Sequence, residues 1–267
     1  ANPPDKLGLA GLVAAMLDEG TERRTANEIA DELAGLGSSL SVRADWDTSR
    51  VGLFTLKRHL ARSLDIFADV LLHPTFPDEE LQRQRSQALT NLVRLRDQPT
   101  ALARLAIDAV LYGESHPYGR PEMGNESTLK AITRDDIAKF YRSRFRPNEA
   151  SLIVVGDVTV AEITKLFESD LAEWKPSDAD PVQLPSPPDR VPAGITLVDK
   201  PGAAQSVINV GQLGVVRNSA DYFQLLVMNT IFGGQFSSRL NMNLREDKGY
   251  TYGARSSFEW RQQPGPF

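Results

Sequence analysis

Six prolines fall between residues 175 and 193, at positions 176, 181, 185, 187, 188 and 192. Proline fixes φ and lacks an amide hydrogen. A run this dense can join neither a helix nor a central strand, and it acts as a semi-rigid spacer. It divides the 267-residue chain into a first domain over 1–175, a linker over 176–193, and the first part of a second domain over 194–267. The composition, 41% hydrophobic and 24% charged, is that of an ordinary globular protein with enough chain to bury a core. A net charge of -5 argues against a nucleic-acid binder. No apolar run approaches the roughly 20 residues of a membrane span, and no basic-then-apolar leader opens the chain. The absence of cysteine removes disulfides, iron–sulfur clusters and thiol catalysis. The chain starts almost directly in a helix and stops just past a strand-like run, as a piece of a longer protein would.

Hydrophobic spacing predicts the elements. Leu9, Leu12, Val13, Met16 and Leu17 make one face of a helix over 8–18 that Gly20 ends. Thr25 and Glu28 form a capping box for a helix over 26–35 that Gly37 ends. Leu40, Val42, Ala44 and Trp46 alternate in a strand over 39–46, and a second strand covers 51–56. Helices are predicted over 57–72, 78–96, 100–111, from Thr133, and over 160–174, with a short buried strand at 150–156. Beyond the linker come strands at 194–199 and 206–213, helices at 219–232 and 236–247, and a strand at 250–260. The order helix, Gly20, helix, Gly37, strand returns as helix, Gly233-Gly234, helix, Gly249, strand, which suggests two copies of one unit.

Few residues offer chemistry by themselves. No Gly-x-Ser-x-Gly elbow or phosphate loop is present. The three histidines, His59, His73 and His116, are never spaced i, i+3 or i+4, so no helical zinc pair can form. Capping and turn hydrogen bonds are the expected role of each.

The stretch from Gly8 to Thr21 resembles the first helix of the pitrilysin/insulinase metallopeptidases. In that family the helix carries His-x-x-Glu-His, whose histidines bind zinc and whose glutamate activates water. The matching positions here are Gly11, Ala14 and Ala15. The family's third ligand, a glutamate before an Asp-x-Pro turn, falls on Asn91, ahead of Asp97-Gln98-Pro99. The resemblance continues through His116-Pro-Tyr-Gly-Arg-Pro121, Ile132-Thr-Arg-Asp-Asp136, Phe140-Tyr141, Arg146-Pro-Asn148 and Val154-Val-Gly-Asp157. It then covers Gly233-Gly234, Ser237-Ser-Arg-Leu240, Leu244-Arg-Glu246 and Gly249-Tyr-Thr-Tyr252.

The resemblance implies an α+β fold of two homologous domains. Each is a mainly antiparallel sheet of about six strands with helices packed on one face, and the second is truncated here. It implies that all three zinc ligands and the general base are absent together. Bound zinc lowers the pKa of water from 15.7 to about 7, and Gly or Ala supplies no such effect. It also implies that Arg245 and Tyr252, seven residues apart, hold the peptide backbone and stabilise the oxyanion in trans. The segment itself then needs no cofactor, and zinc belongs to a partner half, in the same longer chain or a separate subunit. The expected function is peptide binding and transition-state stabilisation within a zinc metalloendopeptidase, the segment being inactive by itself. The alternative is a purely structural or interaction module, in which Arg245 pairs with a neighbouring acid and Tyr252 is a strand aromatic. Periplasmic or other export is expected from bacterial relatives, with the cytoplasm as the alternative.

Overall fold

The computed structural model describes residues 2–178, 183–188 and 191–267. The predicted linker therefore lies partly outside the described residues. The chain forms two compact units that interleave in sequence: Ala1–Asp97 with Pro121–Gln183, and Gln98–Arg120 with Leu184–Phe267.

In the first unit the core is built on helix α1 (Leu9–Met16), whose Leu9, Leu12, Val13 and Met16 are buried. Helix α2 (Ala26–Gly35) starts where the sequence predicts. Thr25 accepts the Glu28 amide, and the Glu28 carboxylate accepts the Thr25 N–H at 2.8 Å. Strands β1 (Ser39–Ala44) and β2 (Ser49–Phe54) pair antiparallel, with Val42 opposite Val51 and Leu40 opposite Leu53. Asp45 closes their turn by accepting the amides of Asp47 and Thr48 at 2.8 and 2.7 Å. The inward residues of the hairpin, Leu40, Val42, Ala44, Val51 and Leu53, pack on the core, as the alternation requires. Helix α3 (Leu60–Leu72) stops at His73-Pro74, and α4 (Asp78–Arg96) opens on three acidic residues. In the second unit, α5 (Pro99–Tyr112) begins with proline at its first turn. Back in the first unit, α6 (Glu126–Ala131), α7 (Arg134–Arg144) and α8 (Val160–Asp170) each carry a capping box. Helix α1 packs against β1, α4 and α7.

A buried ionic network fixes the segment that follows α1. Asp69 on α3 is fully buried and accepts from Thr21 Oγ1 (2.8 Å), Arg23 Nε (2.9 Å) and Arg24 Nη1 (2.6 Å). Arg24 also bonds Asp65 at 2.6 Å and Glu32 at 3.1 Å, so the 20–25 segment is tied to α2 and α3 together. Burial, the largest influence on Asp65 and Asp69, pushes their carboxyls up. The hydrogen bonds and charges of Arg23 and Arg24, with Thr21 for Asp69, together outweigh it and hold both below the usual carboxylate range. Asp136, which caps α7 and bonds Lys6 at 2.9 Å, is held at about 2; burial opposes this, but the bonds from Lys6 and Thr133 prevail. A depressed carboxyl stabilises the fold above its unfolded value near ~4 and loses that stabilisation as pH falls toward its folded value. The urea midpoint is therefore expected to fall between pH 5 and pH 2.5, and Asp136→Asn is expected to flatten that slope. An unchanged slope in the variant would show that Asp136 is not part of the acid response.

In the second unit, α9 (Tyr222–Asn229) and α10 (Arg239–Asn241) each run into a wide π-type turn, at Thr230–Gly234 and Met242–Asp247. Gly249 ends the second turn with φ 64°, as Gly37 follows α2 with φ 61°; only glycine adopts this left-handed geometry without strain.

The sheet is smaller than expected. Among the described residues there is one two-stranded sheet, not a sheet of about six strands. The fold is α+β but mostly helical. The predicted strands at 150–156, 194–199, 206–213 and 250–260 form no ladder. Ile153 and Val155 are 85% and 94% exposed, so the run expected to be buried faces solvent. Near the end of the chain there is an isolated pairing of Leu213 with Pro266, with Gln212 and Phe267 exchanging backbone bonds at 3.0 and 2.9 Å. The physical reason is non-local. Period-two patterning gives a segment a strand's face, but burial needs a neighbouring strand to accept its amides. Among the described residues only the end of the 206–213 run has such a neighbour, in the single Leu213–Pro266 pairing.

Candidate functional site

The helix that would carry a metal site is well formed but chemically bare. Gly11 lies on the exposed side of α1, where a Cβ would meet nothing within 4 Å. Ala14 is buried in the core and Ala15 is half-buried. Helix α4 packs on α1 and carries Asn91, which is exposed and accepts from Gln87 Nε2 at 3.2 Å. The fold thus sets the two helices side by side. Glycine and alanine have no donor atoms for a metal, and the Asn91 amide oxygen is a weak ligand beside a carboxylate. The residues at these positions do not fit zinc. Among the described residues no cluster of three His, Cys, Asp or Glu could hold a metal ion. The acids nearest in sequence stand at the end of α1. Glu19 pairs with Arg83 and Gln84, and burial raises the Asp18 carboxyl above its usual range.

Arg245 lies in the π-type turn of the second unit. Its guanidinium sits 4.7 Å over the Phe236 ring and 3.3 Å from Glu246, with a side chain 40% exposed. Tyr252 lies beyond Gly249 and is 84% exposed. No hydrogen bond, ion pair or ring contact joins the two among the described residues. The structure therefore leaves both side chains open to solvent and does not bring them together.

One polar centre was not legible as such in the sequence. Arg261 is buried, bonds Asp108 at 3.1 Å and Glu259 at 3.0 Å, and lies over the Tyr112 and Tyr118 rings. Tyr112 and Tyr118 in turn flank His116, whose Nδ1 caps the Pro117–Gly119 turn, the kind of bond expected of it. The His-Pro-Tyr-Gly run was the only local signal. Asp108 and Arg261 are 153 residues apart, and no pattern in the sequence links them.

Residues 131–267 match the model for "Peptidase M16 inactive domain", and residues 1–124 match that for "Insulinase (Peptidase family M16)". The chain belongs to peptidase family M16, as the residues flanking the bare helix imply. It is 24% identical over 95% of its length to an uncharacterized zinc protease, YmxG, of Bacillus subtilis, and covers 60% of that protein. It is 28% identical over 94% of its length to an uncharacterized zinc protease of Mycobacterium leprae, covering 57% of it. The chain thus spans about 60% of the length of the curated relatives it matches. Among solved structures, a peptidase M16 inactive domain from Pseudomonas fluorescens superposes with a TM-score of 0.84 at 27% identity, covering 98% of this chain and 63% of that one. A protease from Helicobacter pylori shares the fold, with a TM-score of 0.86 at 22% identity, covering 98% and 64%.

Proposed function

We propose that this chain is the metal-free part of an M16 zinc metalloendopeptidase. It binds peptide and supplies Arg245 and Tyr252 to a zinc-bearing half, located in the same longer chain or in a separate subunit. The observation that carries this reading is a contrast between two places. The α1–α4 face has Gly11, Ala14, Ala15 and Asn91 where ligands and base would stand. Tyr252 is open, and no group among the described residues takes its hydroxyl. A phenol and a guanidinium left accessible are strong donors toward a carbonyl oxygen gaining charge. Zinc, when bound in the other half, would polarise the scissile carbonyl and activate water. The residues here would hold the peptide backbone and receive the oxyanion.

One observation favours the second reading, a structural or interaction module. Arg245 already has Glu246 and the Phe236 ring as partners. Peptide hydrolysis by the full-length assembly separates the two. Arg245→Ala with Tyr252→Phe lowers activity without unfolding if the first reading holds. Unchanged activity favours the structural module.

A further inference from the structure

Tyr252 is exposed and Arg245 partly so, and the fold can fix only the backbone from which each side chain reaches. The stretch that carries Tyr252 is docked at both ends. At the near end it folds back on the π-type turn that carries Arg245. Gly249 N–H donates to the Arg245 carbonyl at 3.1 Å, and Tyr250 N–H to the Leu244 carbonyl at 2.9 Å. At the far end, Ser256 N–H donates to the Gly233 carbonyl at 3.0 Å and its hydroxyl donates to Asn229 Oδ1 at 2.7 Å. Between these anchors, residues 251–255 make no main-chain to main-chain bond among the described residues. Their one hydrogen bond to another element there runs from the Ala254 N–H to Asn241 Oδ1, at 3.1 Å.

Asn241 is the last residue of α10 and is 4% exposed. Its Nδ2 donates to the Phe236 carbonyl at 2.8 Å. The Arg245 guanidinium lies over the Phe236 ring. One buried amide is thus bonded through its oxygen to the stretch carrying Tyr252, and through its nitrogen to the residue beneath Arg245. A backbone N–H can only donate and a carbonyl only accept, so a neutral carboxamide completes both bonds at once. A carboxylate in its place would set a negative oxygen against the Phe236 carbonyl. An alkyl chain would leave both backbone groups without this partner.

We propose that Asn241 is a positioning residue for the peptide site, tying the backbone under Tyr252 to the platform under Arg245. The inference rests on the reading of those two side chains as oxyanion donors. Misplacing a reacting group by about 1 Å can cost about 10²-fold in rate. A stretch held only at its ends has room for such a shift, and the Asn241 bond near its middle removes it.

The test is hydrolysis of a quenched fluorescent peptide by the full-length assembly in four forms: wild type, Asn241→Ala, Tyr252→Phe and the double variant. Asn241→Ala is expected to lower kcat by about 10–10²-fold at a temperature where it stays folded. Tyr252→Phe then costs far less in the Asn241→Ala background than in the wild type, because the hydroxyl is already misplaced. A merely structural role for Asn241 would leave that cost the same. Equal costs in the two backgrounds, or a kcat unchanged by Asn241→Ala, overturn the positioning role alone. No loss from Tyr252→Phe in the wild type overturns the oxyanion reading, and the positioning role falls with it. Should Asn241→Ala fail to fold, amide hydrogen exchange in the wild-type chain decides. The Ala254 amide is expected to be as protected as that of Tyr250, and an Ala254 amide that exchanges at the rate of an unbonded one overturns the proposal.

Discussion

Replacing Asp69 with alanine is expected to cost about 3–5 kcal/mol, enough to unfold a domain of ordinary stability. The side chain of Asp69 has no solvent exposure, and that of Arg24 has 8%. Removing the carboxylate leaves Arg24 with only the outer acids Asp65 and Glu32, and leaves the Thr21 hydroxyl without its buried acceptor. Truncating one member of a buried pair leaves a charge with neither water nor a full set of partners, which is why the loss exceeds the pair's net worth. Arg23 donates to the same carboxylate but is 51% exposed, so Arg23→Ala is expected to cost no more than about 1 kcal/mol. Urea midpoints of the two variants check this ordering. Equal losses for both would show that burial is not what gives Asp69 its weight.

The second large effect concerns catalysis in the assembly. Removing one donor to a developing oxyanion typically lowers kcat by about 10²–10³-fold, or about 2.7–4 kcal/mol. Tyr252→Phe deletes a hydroxyl that makes no bond among the described residues, so its whole effect is expected in kcat and none in folding. Arg245→Ala differs, because it also removes the Phe236 contact and the Glu246 pair. At 40% exposure that pair contributes roughly 0–1 kcal/mol. Arg245→Ala is therefore expected to lose activity with at most a small fall in melting temperature. A fall in stability with kcat unchanged would assign Arg245 to the structural role.

What the sequence made legible follows from the range over which each feature acts. The capping boxes at Thr25 and Thr133, the stop at His73-Pro74 and the buried stripe of α1 depend on residues within a turn or two. All appear where predicted. The two strands of the hairpin were legible over 39–46 and 51–56 because alternation acts within each segment; their pairing and their ends, at Ala44 and at Ser49–Phe54, came from the structure. The strands predicted at 150–156 and beyond the prolines failed, because pairing depends on chain distant in sequence. The bare face was legible residue by residue, since Gly11, Ala14 and Ala15 have no donor atoms and Asn91 offers only a weak amide oxygen, whatever the fold. That α4 lies against α1 came from the structure. The Asp69 network and the Arg261 cluster join residues about 40 to 153 positions apart, so no local pattern could announce them.

Zinc binding to the isolated chain, measured by competition with a chromophoric chelator, tests the central claim most directly. The account predicts that the chelator retains all its zinc at equimolar protein, and that Gly11→Ala leaves the result unchanged. One tightly held zinc per chain would contradict it.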